Sequence, residues 1–195
     1  MFTGIVQEIG TVTAVVRGRA VDRLTVQASK TASGLQVGES VAVNGVCLSA
    51  VRVRDGLLTF EMIPETRRWT ALGTLAAGHR VNLERSLSLS DRLNGHLVLG
   101  HVDGIGRVMR VRKRSGEIAL DIRLDRALRR YLVPKGPVAV DGVSLTVGAP
   151  MSSDRVTVFL IPETMRKTTL HVRQAGDAVN LEVDYVAKLI LQRRS

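Results

Sequence analysis

The sequence predicts an all-β chain in which one β domain occurs twice in tandem, each copy a closed barrel or a sandwich, with a short helix at the C-terminus. Three observations lead to this class. Four segments recur in the same order at nearly constant spacing. Hydrophobic residues make up 45% of the 195 residues but aromatic ones only 3%, so Val, Leu, Ile and Ala must fill the core, and the many Val residues favour strands. Short apolar runs bounded by turn residues outnumber convincing helical stretches.

The recurrence sets the domain boundaries. VAVNGVCL at 41–48 returns as VAVDGVSL at 138–145, 97 positions later. IPET at 63–66 returns at 161–164, and VNLE at 81–84 returns at 179–182, both 98 positions on. A weaker echo joins FTGI at 2–5 to VDGI at 102–105, 100 positions apart. The chain therefore divides into residues 1–97, residues 98–184 and a tail at 185–195.

Within each copy the elements follow in order. Residues 3–16 alternate imperfectly between apolar and polar, residues 23–28 do so more cleanly, and 56–63 and 155–161 are short apolar runs, all strand patterns. Asn44-Gly45 and Asp141-Gly142 sit between apolar runs where a tight turn needs positive φ, and Ser33-Gly34, Asp55-Gly56 and Ser115-Gly116 mark further turns. Helices are expected at 67–75 in the first copy and 125–132 in the second. Residues 85–99 join the copies, polar at the centre and apolar at both ends, which predicts an ordered connector. In the tail, Val186, Leu189 and Ile190 fall at helical spacing; a helix so short should dock its apolar face on another surface.

Charge and cysteine count narrow the function. With 28 basic against 18 acidic residues the net charge is +10, which invites nucleic acid as a partner. The Arg residues are dispersed, however, densest at 107–114, 129–130 and 193–194, and no aromatics are interleaved to stack bases. A basic surface on a soluble protein, with no nucleic-acid partner, is the expectation. A single cysteine, Cys47, excludes an internal disulfide framework and a Cys-rich zinc site, and points to a reducing, cytoplasmic setting. The start, MFTGIVQEIG, has no signal-peptide pattern, and no apolar run approaches the ~18 residues of a membrane span.

Comparing the copies singles out chemistry. Cys47 and Ser49 in the first correspond to Ser144 and Thr146 in the second, each pair two residues apart and so on one strand face. A core position resists exchange of thiol for hydroxyl; a ligand site can use either. IPET offers a carboxylate and a hydroxyl where a strand ends, and Thr66 or Thr164 could equally cap a helix. His96 and His101, five apart, make a poor metal pair with no third ligand, so no metal is expected; His101 could instead bond a ligand or move a proton. Lys135, between Pro134 and Gly136, enters the second VAVDG strand either as a solvated turn residue or as a cation facing the second-copy site.

Together MFTGIV, NGVCL, the paired IPET segments, VNLER, GHVDG and KGPVAVDGVSLTV resemble the riboflavin synthase family of the α-chain type, from Met1 to about Asp184. The resemblance implies two tandem six-stranded Greek-key β-barrels plus a short C-terminal helix that helps assemble a homotrimer. It implies a dismutation of two molecules of 6,7-dimethyl-8-ribityllumazine, one giving a four-carbon unit to the other, to yield riboflavin and 5-amino-6-(ribitylamino)uracil without metal or redox cofactor. Each barrel would bind one lumazine, the active site forming between the N-terminal barrel of one subunit and the C-terminal barrel of its neighbour. Association with lumazine synthase is left open.

Carried over residue by residue, the family's contacts fall first on Gly4, Ile5 and Val6, then Cys47, Leu48 and Ser49, then Met62, Ile63, Pro64, Glu65, Thr66 and Arg67. The second site takes Gly100, His101, Val102, Lys135, Ser144, Leu145 and Thr146, with Leu160, Ile161, Pro162, Glu163, Thr164 and Met165. Phe2 and Thr3 belong to the motif that closes the site, and Asp184 matches a carboxylate after the last strand. Cys47, His101, Ser144 and Thr146 are expected nearest the chemistry, with Lys135 assisting. Two positions depart from the family: Ser49 stands where Thr is usual, and Leu99 where Ser is common. The rival within the same fold is a non-catalytic lumazine or flavin antenna.

Overall fold

The computed structural model describes residues 1–114, 116–148 and 152–192. Ser115 of the expected Ser115-Gly116 turn and the Arg193-Arg194 run lie outside the described residues. The first copy contains β1 (Glu8–Val16), β2 (Asp22–Gln27), α1 (Ser29–Ala32), β3 (Ser40–Val43), β4 (Val46–Arg54), β5 (Leu57–Met62), α2 (Pro64–Trp69), a 3-10 turn (Ala71–Thr74) and β6 (Arg80–Arg85). The second repeats the series as β7 (Gly104–Arg114), β8 (Glu117–Arg123), α3 (Arg126–Arg129), β9 (Pro137–Val140), β10 (Val143–Thr146), β11 (Arg155–Leu160), α4 (Pro162–Lys167), a 3-10 turn (Thr169–Val172) and β12 (Ala178–Val183). The tail forms α5 (Tyr185–Gln192).

Both copies are antiparallel and Greek-key in order. The first closes fully, β1-β2-β5-β4-β3-β6, with β6 returning to β1. The second runs β10-β9-β12-β7-β8-β11, and among the described residues the bridge Val147↔Val158 is what joins its two ends. The difference lies in one strand: β4 spans nine residues and pairs with β5 through the Asp55-Gly56 turn, whereas β10 stops after four. Inward residues alternate as expected, Leu58, Phe60 and Met62 on β5 against Val156, Val158 and Leu160 on β11.

The helices start differently from the expectation. α2 and α4 begin at Pro64 and Pro162, with Ile63 and Ile161 as extended N-cap residues, so Thr66 and Thr164 are not caps. Proline has no N–H to leave unpaired and its φ suits the first helical turn, which moves the start upstream. The capping threonines are Thr70 and Thr168, each accepting from the N–H two residues on and donating to Thr66 or Thr164 carbonyl.

The barrels meet across a pseudo-two-fold axis between the two Asn/Asp-Gly turns. Gly45 and Gly142 lie back to back with φ near +77 and +74°, and a Cβ on either would come within 2.6 Å of the other's nitrogen. Around them Asn82 Nδ2 donates to the Asp141 carbonyl and Asn180 Nδ2 to the Asn44 carbonyl, while Asn180 and Asn82 side-chain oxygens accept from Ala71 N and Thr169 N. All four side chains are buried and bonded from both copies, while Thr169 Oγ1 and Arg173 Nε, buried beside them, have no hydrogen-bond partner among the described residues. This polar seam differs at one point: Asp141 is wholly buried and bonded by Arg173 Nη2 at 2.6 Å, where the first copy has neutral Asn44 and Leu75. Burial pushes the Asp141 carboxyl above the usual range, and Arg173 acts against that.

Candidate functional site

The segments that open each copy cross to the other barrel. Phe2 and Val98 pair in an antiparallel bridge. Beyond it Gly4 carbonyl accepts from Ser144 N at 2.8 Å, and Gly100 carbonyl accepts from Cys47 N at 2.9 Å. Both glycines have positive φ, and a Cβ on either would lie 2.6 Å from the Ser144 or Cys47 Cβ. Only glycine fits so close an approach. Two buried carboxylates hold these arms: Glu84 accepts from Thr3 N and Gly4 N, Glu182 from Leu99 N and Gly100 N. Burial raises both carboxyls above their ordinary range, and the backbone N–H bonds oppose it. Thr3 Oγ1 gives Glu84 a third bond at 2.8 Å, which Leu99 cannot supply to Glu182.

This geometry corrects two expectations. The opening repeat is FTG at 2–4 with VLG at 98–100, 96 positions apart, rather than FTGI with VDGI at 100, because the shared features are the positive-φ glycine and its carboxylate. The arms also exchange sites. Gly100, His101 and Val102 lie with Cys47, Glu65 and Thr66 in a first pocket of about 410 Å³ that ends at Trp69. Gly4 lies instead on Ser144, whose pocket of about 550 Å³ takes Lys135, Leu145, Thr146, Phe159, Ile161 and Thr164. Ile63 and Ile161 occupy matching places in the two pockets.

The remaining expected residues are dispersed about these pockets. Phe2 is buried between the barrels with Cys47 against it, and Thr3 is tied to Glu84. Val6, Leu48, Met62 and Leu160 face the cores, and Met165 packs against the second. Ser49, Pro64 and Pro162 are exposed outside both pockets. Arg67 bonds Asp22, and Glu163 is paired with Arg166 and Lys167, which together hold its carboxyl at about 2. Lys135 is exposed with φ +65°, its N–H on Val147 carbonyl. Asp184 Oδ1 accepts from Val186 N at the start of α5.

Sequence reasoning left out His96 as a site residue. Its Nδ1 is 2.7 Å from Ser144 Oγ, a pairing 48 residues apart that spacing could not reveal. Burial lowers the His96 pKa while Asp184 nearby opposes the shift, so the imidazole is neutral at pH 7. Cys47 has no such partner among the described residues. The two pockets thus share a scaffold but differ in their polar groups, Cys47 with His101 in the first and the Ser144–His96 pair in the second.

The lumazine binding domain model matches residues 3–86 and 99–184, one match per barrel. The chain is 44% identical over 196 residues to the riboflavin synthase of Mycobacterium bovis, covering 97% of this chain and 96% of that one. The chain belongs to the riboflavin synthase family. Within that family it is also 41% identical over 190 residues to the riboflavin synthase of Bacillus amyloliquefaciens, covering 97% and 88% of the two chains. As members of the riboflavin synthase family are enzymes, so is this chain. In fold it is similar to LumP crystallised with riboflavin, with a TM-score of 0.87 at 22% identity, covering 94% of this chain and 99% of that one.

Proposed function

We propose that the protein is a riboflavin synthase in the full sense, dismutating two 6,7-dimethyl-8-ribityllumazine molecules into riboflavin and 5-amino-6-(ribitylamino)uracil. The observation that carries this reading is a pair of homologous pockets on one scaffold, made unlike by Cys47 in one and the Ser144–His96 pair in the other. A dismutation needs that arrangement. Two identical substrates take opposed roles, one losing a proton from its C7 methyl and the other accepting a nucleophile at C7, so proximity and orientation supply much of the rate.

Neutral His96 can take a proton through Ser144 Oγ, which makes the second pocket the side of proton transfer. His101 and Cys47, together at the first pocket, are placed to orient the partner lumazine. The productive pair forms between subunits of a homotrimer, the first pocket of one chain facing the second pocket of the next. Exposed Val186, Leu189 and Ile190 on α5 support such an assembly. The cytoplasm keeps half-buried Cys47 a thiol.

The deciding experiment incubates the purified full chain with 6,7-dimethyl-8-ribityllumazine alone, without metal or nucleotide. Riboflavin and the uracil appear in equal amounts. Tight binding of the lumazine with no conversion over hours would replace the enzyme with an antenna of the same fold.

A further inference from the structure

Six aromatic residues serve the whole chain: one Trp, two Tyr and three Phe. Phe2 and Phe60 are completely buried. Tyr131 packs against the second core with the Arg130 guanidinium over its ring, and Tyr185 opens α5. That leaves Trp69, 57% exposed, and Phe159, 43% exposed, and each lines a different one of the two pockets. Large apolar rings left uncovered at the lip of a concave site mark a surface that a ligand completes.

The two rings do not occupy equivalent positions. Trp69 ends α2, and its counterpart 98 residues on is Lys167, held 2.7 Å from Glu163. Phe159 stands on β11, and its counterpart 98 residues back is Glu61, paired with Arg23 at 3.1 Å. Each pocket therefore has an aromatic wall where the other has an ion-paired polar chain. The Arg68 guanidinium lies 5.6 Å from the Trp69 ring centroid. Phe159 is accommodated by Gly148, where a Cβ would come 2.8 Å from Phe159 Cε2.

We propose that Trp69 and Phe159 are the surfaces on which the planar heterocycle lies in the first and second pockets, so that the two copies hold the same ligand on differently placed walls and with unlike affinities. The inference rests on the lumazine-binding function proposed above. It places the differentiation of the copies in ring stacking as well as in the exchange of thiol for hydroxyl. Trp69 and Phe159 are positioning residues for a ring, and neither handles a proton.

The test titrates the full chain with riboflavin, a probe that undergoes no turnover in the absence of its co-product, by calorimetry and equilibrium dialysis. The unaltered protein shows two binding steps of different affinity. Trp69→Lys, which installs the second copy's residue, weakens one step by about tenfold or more and leaves the other within about twofold, a loss typical of a stacking contact. Phe159→Glu does the same to the other step, and Trp69→Phe restores most of the first. In the parent and in Phe159→Glu, tryptophan emission, which comes from Trp69 alone, changes over the step that Trp69→Lys weakens. Both side chains are exposed, so circular dichroism of the variants matches the parent. If riboflavin binds in two steps and neither substitution moves either one, or if each weakens both equally, the inference is overturned while the function stands. If the parent binds no riboflavin, both are overturned together.

Discussion

The Asp141–Arg173 pair gives a stability measurement in which the protein supplies its own reference. Asp141 is wholly buried; its Oδ1 accepts from Asn180 N at 2.8 Å and its Oδ2 lies 2.6 Å from Arg173 Nη2. Arg173→Leu leaves a carboxylate without its cation, and loss of one partner of a buried pair costs about 3–5 kcal/mol. For a chain of this size that lowers Tm by roughly 10 °C. Asp141→Asn keeps the acceptor for Asn180 N, and the one-fifth-exposed Arg173 side chain can still reach water, so that change costs about 1–2 kcal/mol. The double variant recreates the Asn44 and Leu75 combination of the first copy and recovers most of the loss. Urea unfolding of the four proteins, comparing midpoints at unchanged slope, gives the coupling. A double variant as unstable as the sum of the singles would refute the pairing as the reason for Asp141.

Gly45→Ala forces a Cβ to 2.6 Å from Gly142 N at positive φ, and is expected to lose about 2 kcal/mol or more in the same unfolding assay. His96→Gln is expected to lower kcat by about 10²–10⁴ while thermal stability stays near the parent's. Because burial depresses the His96 pKa, the parent's acid limb falls below the ordinary imidazole value of about 6.5, and this variant abolishes that limb; a pH–rate profile checks both points. Removing α5 after Asp184 is expected to convert a particle of three chains into single chains by light scattering, with loss of turnover.

The duplication and the strand pattern were legible because they are local: IPET, VNLE and the paired NG and DG turns carry their own spacing. In two of the three places where the sequence misled, the determining contact was distant. The arm glycines, Gly4 and Gly100, share no motif beyond a glycine, and what makes them equivalent is Glu84 and Glu182, some 80 residues away. A signal for those carboxylates was present, since VNLE sets an Asn and a Glu on the strand face opposite the core-facing Val and Leu in both copies, and a charge buried there must have a partner. Thr66 and Thr164 looked like caps because threonine often is one, but the preceding proline had already fixed the helix start. His96 resembled half of a weak metal pair until the fold brought it to Ser144.

The crossing of the two arms also governs the order in which the protein can assemble. Residues 2–4 are made before their anchor Glu84 and their docking strand at Ser144, which follow 80 to 140 residues later. At ~5–20 residues per second that is roughly 4 to 28 seconds during which this arm has no place to go. The first barrel can close its strands in that interval, but its pocket needs Gly100 on Cys47, and the second needs Gly4 on Ser144. Neither pocket matures ahead of the other's barrel, so a truncated or half-made chain carries neither pocket complete.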